Sequence, residues 1–542
     1  MSERNDLRLS DAIETRAERR PDHDVLTFEH YSLDGGATPD EVRTYRALRD
    51  NAHRIAAHLK RKGLQKGDRF AIMMRNHPEF VEAMIAASLL GAVFVPIDPR
   101  TRGEKLAFLI GNSGSRGIIA ADYALGAVLA VRARCPALAW VLALETREDG
   151  ACAPADLHHA DSLRNVLAGP VVTVEATHVE LTDPLQIVYT SGTTGDPKGV
   201  VGSVQRAGGT GWVGQLFGYQ PDERPYTGLS FTHTNAQTTA LLPALFAGHR
   251  AIISRRFTKS RLWDVCRRYG ATSFSMLGGM ATAIFSEPPR ANDADNPVRM
   301  IISGGTPAAI WEPFEKRFGV QILEIYGAND GCGMAIRRPG EGPIGSFGKP
   351  IPGFDMKILD EEGHECPPGV VGEICGRPQG GDGDPGVEYF GNAEASKNKI
   401  QHGWNRSGDM GHRDADGWFY FDCRKGGGIR RNGDFIDPSF VERVIAEDPQ
   451  VDDVFVYGIP ASSGAPGERD VVATVVPVDR TCFDPGILFA RCRAGLEPNF
   501  VPSYLQLVDE IPKTASEKPQ ERFLVERLRT HPEDLHRECR KP

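Results

Sequence analysis

The chain has little that marks an exported, metal-knotted or membrane-embedded protein. Its ten cysteines are scattered, with no Cys-x-x-Cys pair. That spacing argues against a disulfide framework or a zinc site and for reduced thiols in the cytoplasm. Residues Met1 to Arg8 contain no apolar stretch, so no secretory signal is expected there. No apolar run reaches the length needed to span a bilayer, and no integral membrane segment is expected. Basic runs with interleaved aromatics are also missing. With 72 acidic against 63 basic residues the net charge is −9, which argues against nucleic acid as a partner. His158 and His159 stand without further clustered ligands, and Asp382 and Asp384 lack the other positions of an EF-hand loop.

What is present is an ordinary globular composition over 542 residues, too long for one core, so two or more domains are expected. Apolar residues recur at helical spacing from Tyr45 to Gly63, and Phe70 to Met74 then reads as a strand. Pro78 to Leu90 reads as a helix and Gly91 to Ile97 as a strand. The alternation resumes at Ala251–Ile253, 260–269, Met300–Ile302, 308–318 and 321–323. Such alternation predicts parallel sheets covered by helices. Gly376 to Gly391 reads as a surface loop. Gly426-Gly427-Gly428 can absorb a large backbone rotation, which places a domain boundary after Arg424. Beyond it, helices at 438–446 and 485–496 and strands at 454–457, 471–476 and 505–508 make a small α+β domain.

The chemistry concentrates after the apolar run Leu185-Gln186-Ile187-Val188-Tyr189. That strand empties into Thr190-Ser191-Gly192-Thr193-Thr194-Gly195-Asp196-Pro197-Lys198-Gly199. Hydroxyls, glycines that turn backbone N–H groups inward and one cation are what a polyphosphate needs. Pro197 occupies the place of a Walker A glycine, so the loop is of another kind. It resembles the phosphate loop of the adenylate-forming superfamily, which holds acyl-CoA synthetases, peptide-synthetase adenylation domains and luciferases. The resemblance runs from about Leu48 to Leu528 in order and spacing.

The resemblance implies an α/β protein. A large N-terminal domain of parallel-rich sheets covered by helices, residues 1–424, would carry the nucleotide site. A small mobile α+β lid, residues 425–542, would carry the catalytic lysine. It implies ATP, Mg²⁺ and CoA as cofactors and a small-molecule carboxylic acid as substrate. Thr190, Ser191, Gly192, Thr193, Thr194, Gly195 and Lys198 would hold the phosphates, with Thr193 also near the metal. Gly304, Gly305 and Thr306 would lie against adenine. Glu324, Ile325, Tyr326 and Gly327 match the segment whose tyrosine stacks on that base. Asn329 replaces the family's Thr at the α-phosphate, and Asp330 replaces the Glu that binds Mg²⁺; an amide can donate to phosphate, and a carboxylate remains for a hard cation. Asp409, in Arg406-Ser407-Gly408-Asp409, would accept from both ribose hydroxyls, with Phe421 and Arg424 alongside. Gly426 falls at the hinge and Gly433 beside pantetheine. Lys518 would bridge the attacking carboxylate and the α-phosphate, with Lys513 as its competitor; Glu517 stands where many members carry Gly.

His233, Asn235, Gln237, Gly278, Gly279, Met280 and Gly331 match segments that line the acyl pocket. These segments are most similar to the crotonobetaine/carnitine-CoA ligase branch. An isolated histidine is commonly structural, so His233 stands between that role and a gate beside the adenylate. The expected activity is an AMP-forming acid–thiol ligase in the cytoplasm. Transfer of the acyl group to an amine or a carrier protein stays open, as do a non-catalytic nucleotide-binding relative and a homodimer.

Overall fold

The computed structural model describes residues 4–146, 148, 157–190, 197–331, 333–380, 388–425, 429–431, 434–436, 438–462, 469–496, 498–514 and 517–538. The chain divides into two compact units. One comprises Met1–Ser275, Asp295–Ile302 and Gly386–Lys399; the other comprises Met276–Ala294, Ser303–Pro385 and Ile400–Pro542.

In the first unit, strands Asp161–Ser162, Trp140–Leu144, Gly117–Ala121, Arg69–Met73, Val93–Pro96 and Pro184–Thr190 lie in that order, all parallel. Lys198–Ser203 closes the sheet antiparallel to Pro184–Thr190. A second sheet sets Glu41–Thr44, Asp24–Glu29, Ala251–Ser254, Pro225–Thr227 and Ser273–Leu277 side by side, parallel except for the first pair. The parallel-rich reading of the alternation therefore holds. Helix Tyr45–Arg61 starts where the Thr44 hydroxyl accepts the Ala47 N–H. It buries Leu48, Ala52, Ile55, Ala56 and Leu59 and gives way to Gly63 at φ +81°. Helix Pro78–Leu90 is buried on every side, begins with a proline at its first turn and stops at the left-handed Gly91. A helix buried on all sides belongs inside a large core; its Glu82 pairs there with Arg43.

In the second unit, Gln321–Gly327, Met334–Arg337 and Lys349–Pro350 pair antiparallel. A five-stranded sheet joins Phe354–Leu359, Gly372–Pro378, Trp404–Arg413 and Ile400–Gln401, with Phe419–Arg424 along the other side of Trp404–Arg413. The loop expected from Gly376 thus begins later. Gly376, Arg377 and Pro378 complete a ladder with Phe354, Asp355 and Met356, and those pairings outweigh the local turn composition. Residues 429–538 contain helices Pro438–Ala446 and Pro485–Gly495 and the four-stranded sheet Val451–Pro460, Arg469–Pro477, Tyr504–Leu507 and Leu535–Arg537. Ile436, Val441, Ile445, Val471, Val475, Leu488 and Leu505 fill a core of their own there.

Candidate functional site

Strand Gln321–Gly327 ends the way a ligand-binding strand ends, with polar side chains on its last residues. Glu324 is buried, and its carboxylate accepts the backbone N–H groups of Gly305 and Thr306, the latter at 3.1 Å. The Thr306 hydroxyl donates to Ser303 Oγ at 2.6 Å. Burial pushes the Glu324 carboxyl up to about 7 despite those donors. Gly305 needs to be glycine for its backbone, at φ +90°, whereas a Cβ on Gly304 would meet nothing nearer than 3.6 Å. Glu324 therefore shapes the glycine loop from behind.

Two residues on, the Tyr326 ring stacks on Phe347 with centroids 4.5 Å apart, and Phe347 leans on Phe419 at 6.1 Å. The Tyr326 hydroxyl donates to Asp409 Oδ2 at 2.8 Å. The sequence places these two residues 83 positions apart as the adenine and ribose groups; the structure puts them in hydrogen-bond contact. Asp409 sits on strand Trp404–Arg413 opposite Arg424 in the register. Its own N–H donates to Ser407 Oγ at 2.8 Å, and Gly408 before it adopts φ +77°. Phe421 is exposed on the neighbouring strand.

Sequence reasoning misses the group that holds this turn. Glu373 is buried in strand Gly372–Pro378 and accepts the Gly408 N–H at 2.8 Å and Arg406 Nε at 3.1 Å. It also receives Lys425 Nζ at 3.4 Å, while the Lys425 N–H donates to Gly408 O at 2.8 Å. The available signal is a carboxylate beside Ile374 and Cys375 in a strand, a placement that calls for a partner.

Beyond Tyr326 the chain turns through Ala328, Asn329, Asp330 and Gly331, where the Gly331 N–H donates to Ala328 O at 3.1 Å and φ is +85°. The fully buried Asn405 donates from Nδ2 to Asp330 O at 2.6 Å. Among the described residues no three His, Cys, Asp or Glu side chains cluster as metal ligands. A single carboxylate at Asp330 is nonetheless the donor set that Mg²⁺ uses when phosphate oxygens and waters supply the rest.

In the first unit, Thr190 and Lys198 pair in register across the mouth of the loop, and the Thr190 hydroxyl donates to Lys198 O at 3.3 Å. The Lys198 amine stands 5.2 Å over the Tyr389 ring, a cation–π contact. Ser191, Gly192, Thr193, Thr194 and Gly195 lie outside the described residues, as do Gly426 and Gly433. His233 caps the short helix Thr234–Ala236, its Nδ1 accepting the Asn235 N–H at 3.2 Å. Asn235 O in turn accepts the Thr239 hydroxyl at 2.9 Å. Gln237 is buried and donates to Phe231 O at 2.8 Å. The same segment hangs on Asn76, whose Nδ2 donates to Leu229 O and Ser254 O and whose Oδ1 accepts the Phe231 N–H, each at 2.9 Å. In the second unit, helix Gly278–Ser286 leaves Gly279 exposed and buries Met280.

Lys518 is tied to Thr514 by two hydrogen bonds. Its carbonyl accepts the Thr514 N–H at 2.8 Å, and its N–H donates to Thr514 Oγ1 at 3.2 Å. Glu517 has φ +57°, the left-handed region that favours glycine. Lys513 is committed elsewhere, its amine 2.5 Å from Asp453.

Comparison with known proteins gives the same picture. A family model described as AMP-binding enzyme matches residues 13–380, and one described as AMP-binding enzyme C-terminal domain matches residues 441–518. A crotonobetaine/carnitine–CoA ligase of Proteus mirabilis is 28% identical over 489 residues, covering 88% of this chain and 91% of that protein. One from Salmonella choleraesuis is 27% identical over 497 residues, with the same coverage. Among solved structures, an anthranilate CoA ligase in complex with anthranoyl-AMP superposes with a TM-score of 0.79 at 21% identity, covering 96% of each chain. The o-succinylbenzoate CoA synthetase of Bacillus subtilis with its acyl-adenylate intermediate gives 0.74 at 24% identity, covering 95% of this chain and 97% of that one. These two likenesses speak to the fold.

Proposed function

The chain belongs to the AMP-binding enzyme family, and from that premise we propose that it is an ATP-dependent carboxylic acid–CoA ligase. It joins a carboxylate to the α-phosphate of ATP, releases pyrophosphate, and passes the acyl group from the adenylate to the CoA thiol. The observation that carries this reading is the Tyr326–Asp409 contact, which sets an aromatic ring and a ribose-binding carboxylate side by side. The naming of full-length relatives as CoA ligases supports it.

In this reading Gly304, Gly305, Thr306, Ile325, Tyr326 and Gly327 border adenine. Asp409, Arg424 and Phe421 attend the ribose. Lys198, with Thr190 and residues 191–195, holds the outer phosphates. Asn329 donates to the α-phosphate, and Asp330 and Thr193 hold Mg²⁺, which neutralises the pyrophosphate leaving group. Lys518 stabilises the charge that grows as carboxylate and phosphate meet. Two observations favour it over Lys513, namely the latter's ion pair with Asp453 and the glycine-type turn beside Lys518. His233, Asn235 and Gly331 border the acid, and Gly433 borders pantetheine. The lid begins at residue 425, and its separate core supports that boundary. All seven described cysteines are free thiols, which supports a cytoplasmic setting; among the described residues no helix is long and apolar enough to cross a membrane.

The test is pyrophosphate release across a panel of carboxylic acids with Mg·ATP, each run with and without CoA. Acid-dependent release, with a thioester formed only when CoA is added, is the expected result. Release without a thioester moves the acceptor to an amine or a carrier protein. Release that no acid stimulates would refute adenylation.

A further inference from the structure

Resting on that reading, we propose that Asn405 is a positioning residue for the magnesium and triphosphate end of the site. The segment that leaves strand Gln321–Gly327 is fastened to strand Trp404–Arg413 at two points. One is the Tyr326 hydroxyl on Asp409, at 2.8 Å. The other is Asn405 Nδ2 on Asp330 O, at 2.6 Å. Each segment spaces its two contacts four residues apart, so the pair forms two rungs between the same two stretches of backbone.

The rungs serve different ends of the nucleotide. The first holds the groups assigned to adenine and ribose. The second holds no side chain of the site; it fixes the backbone that carries Asn329 and Asp330. In that backbone the Gly331 N–H donates to Ala328 O, and a glycine at φ +85° stands directly after Asp330. A turn of this composition has several accessible conformations, and a short aspartate tolerates little error in where its backbone stands. Asn405 is fully buried, so its amide donor has no water to fall back on, and the bond to Asp330 O is held by the cost of breaking it. Outer partners of this kind orient a metal ligand without touching the metal. Asn405 also has a rigid base, because its strand is anchored three residues further on where Glu373 accepts the Gly408 N–H.

The two-rung arrangement makes a separable prediction. Removing the second rung should weaken whatever depends on Asp330 and spare what depends on Tyr326 and Asp409. The experiment measures, by calorimetry, AMP binding without metal and binding of ATP with Mg²⁺, for the wild-type protein and for Asn405→Leu and Asn405→Asp. The first variant removes the donor at similar volume, and the second keeps the shape and opposes two acceptors. AMP affinity is expected to stay within about twofold, whereas the Mg²⁺ concentration giving half-maximal ATP binding rises at least about tenfold. The conservative Asn405→Gln, which restores a donor, should recover part of the loss. Equal losses for AMP and Mg·ATP, or an unchanged magnesium requirement, would overturn the assignment. Should Asn405→Leu fail to fold, the isosteric Asn405→Asp gives the same readout. If the wild-type protein itself binds neither AMP nor ATP, the functional reading fails rather than the two-rung one.

Discussion

Strand Trp404–Arg413 and the stretch that ends at Lys518 carry two of the charged groups that the proposed function assigns to adenylation, and they are built in opposite ways. Around Asp409 a set of short hydrogen bonds fixes the backbone and side chains in place. Ser407, Gly408, Arg406, Asn405 and Tyr326 are all tied by bonds of 2.6 to 3.1 Å, and Glu373 sits buried beneath them. Lys518 is exposed, on a turn whose preceding residue strains against its own side chain. The difference teaches which group needs to move. A carboxylate that recognises ribose works best when fixed in advance. Burying a cation without a counter-charge costs its hydration, so a lysine that meets an anionic substrate is better placed at the surface.

The comparison is broken most sharply by Lys518→Ala. Adenylate formation should fall by about 10²–10³, the range for removing one preorganised charge-stabilising group. Thiolysis of a supplied acyl-adenylate should continue at its normal rate. Equal loss of both steps, followed by pyrophosphate exchange and thioester assay, would remove Lys518 from its assigned role. Lys513→Ala, which loses a partly buried ion pair with Asp453, should leave both steps nearly unchanged.

Glu373→Gln probes the fixed side. It leaves the buried Arg406 without its carboxylate, at a cost of about 3 kcal/mol of stability measured by denaturant unfolding. Weaker AMP binding should follow, because the Gly408 turn loosens. A variant as stable as the wild type would show that Asp409 does not depend on this support.

The pH dependence of Glu324 should be smaller. Its folded value, about 7, lies above its ordinary 4.5, so the neutral form favours the fold. The contribution is therefore fully present below pH 4.5, is lost as pH rises through 7 and levels off above it. Between pH 5 and pH 8 stability should decline by an amount of order 2 kcal/mol, and Glu324→Gln should flatten that part of the curve. At the bottom of the scale, Glu517→Gly should raise stability by up to about 1 kcal/mol, relief of the left-handed strain exceeding the added chain entropy. A loss of stability there would mean that the Glu517 side chain contributes more than its backbone costs.

Much of the fold was legible in local pattern. Tyr45 to Gly63, Pro78 to Leu90 and Ala308 to Phe318 declare themselves by spacing, a first-turn proline and terminal glycines, and the structure places helices there. The residues that touch the nucleotide in the proposed mechanism were legible as a motif series, because each lies at the end of a recognisable strand. Their supports were not. Phe347, Glu373 and Asn405 act through partners 21 to 75 positions away, and only strand register brings such residues together. Gln237, expected to line the acyl pocket, is buried, and its amide donates to Phe231 O.

The phenol on Asp409 has a kinetic consequence. In the proposed function, a ribose hydroxyl arriving at Asp409 Oδ2 would meet an oxygen already occupied by an internal donor, so the phenol would act as a stand-in for the guest. Entry is then an exchange of one donor for another, without first stripping water from a bare charge. Departure is equally eased, because the vacated oxygen is capped again as the mononucleotide leaves. Such a self-capping pocket trades tightness for turnover: it holds spent AMP less firmly than a Tyr326→Phe variant would, and the difference should be read as stronger product inhibition in the variant.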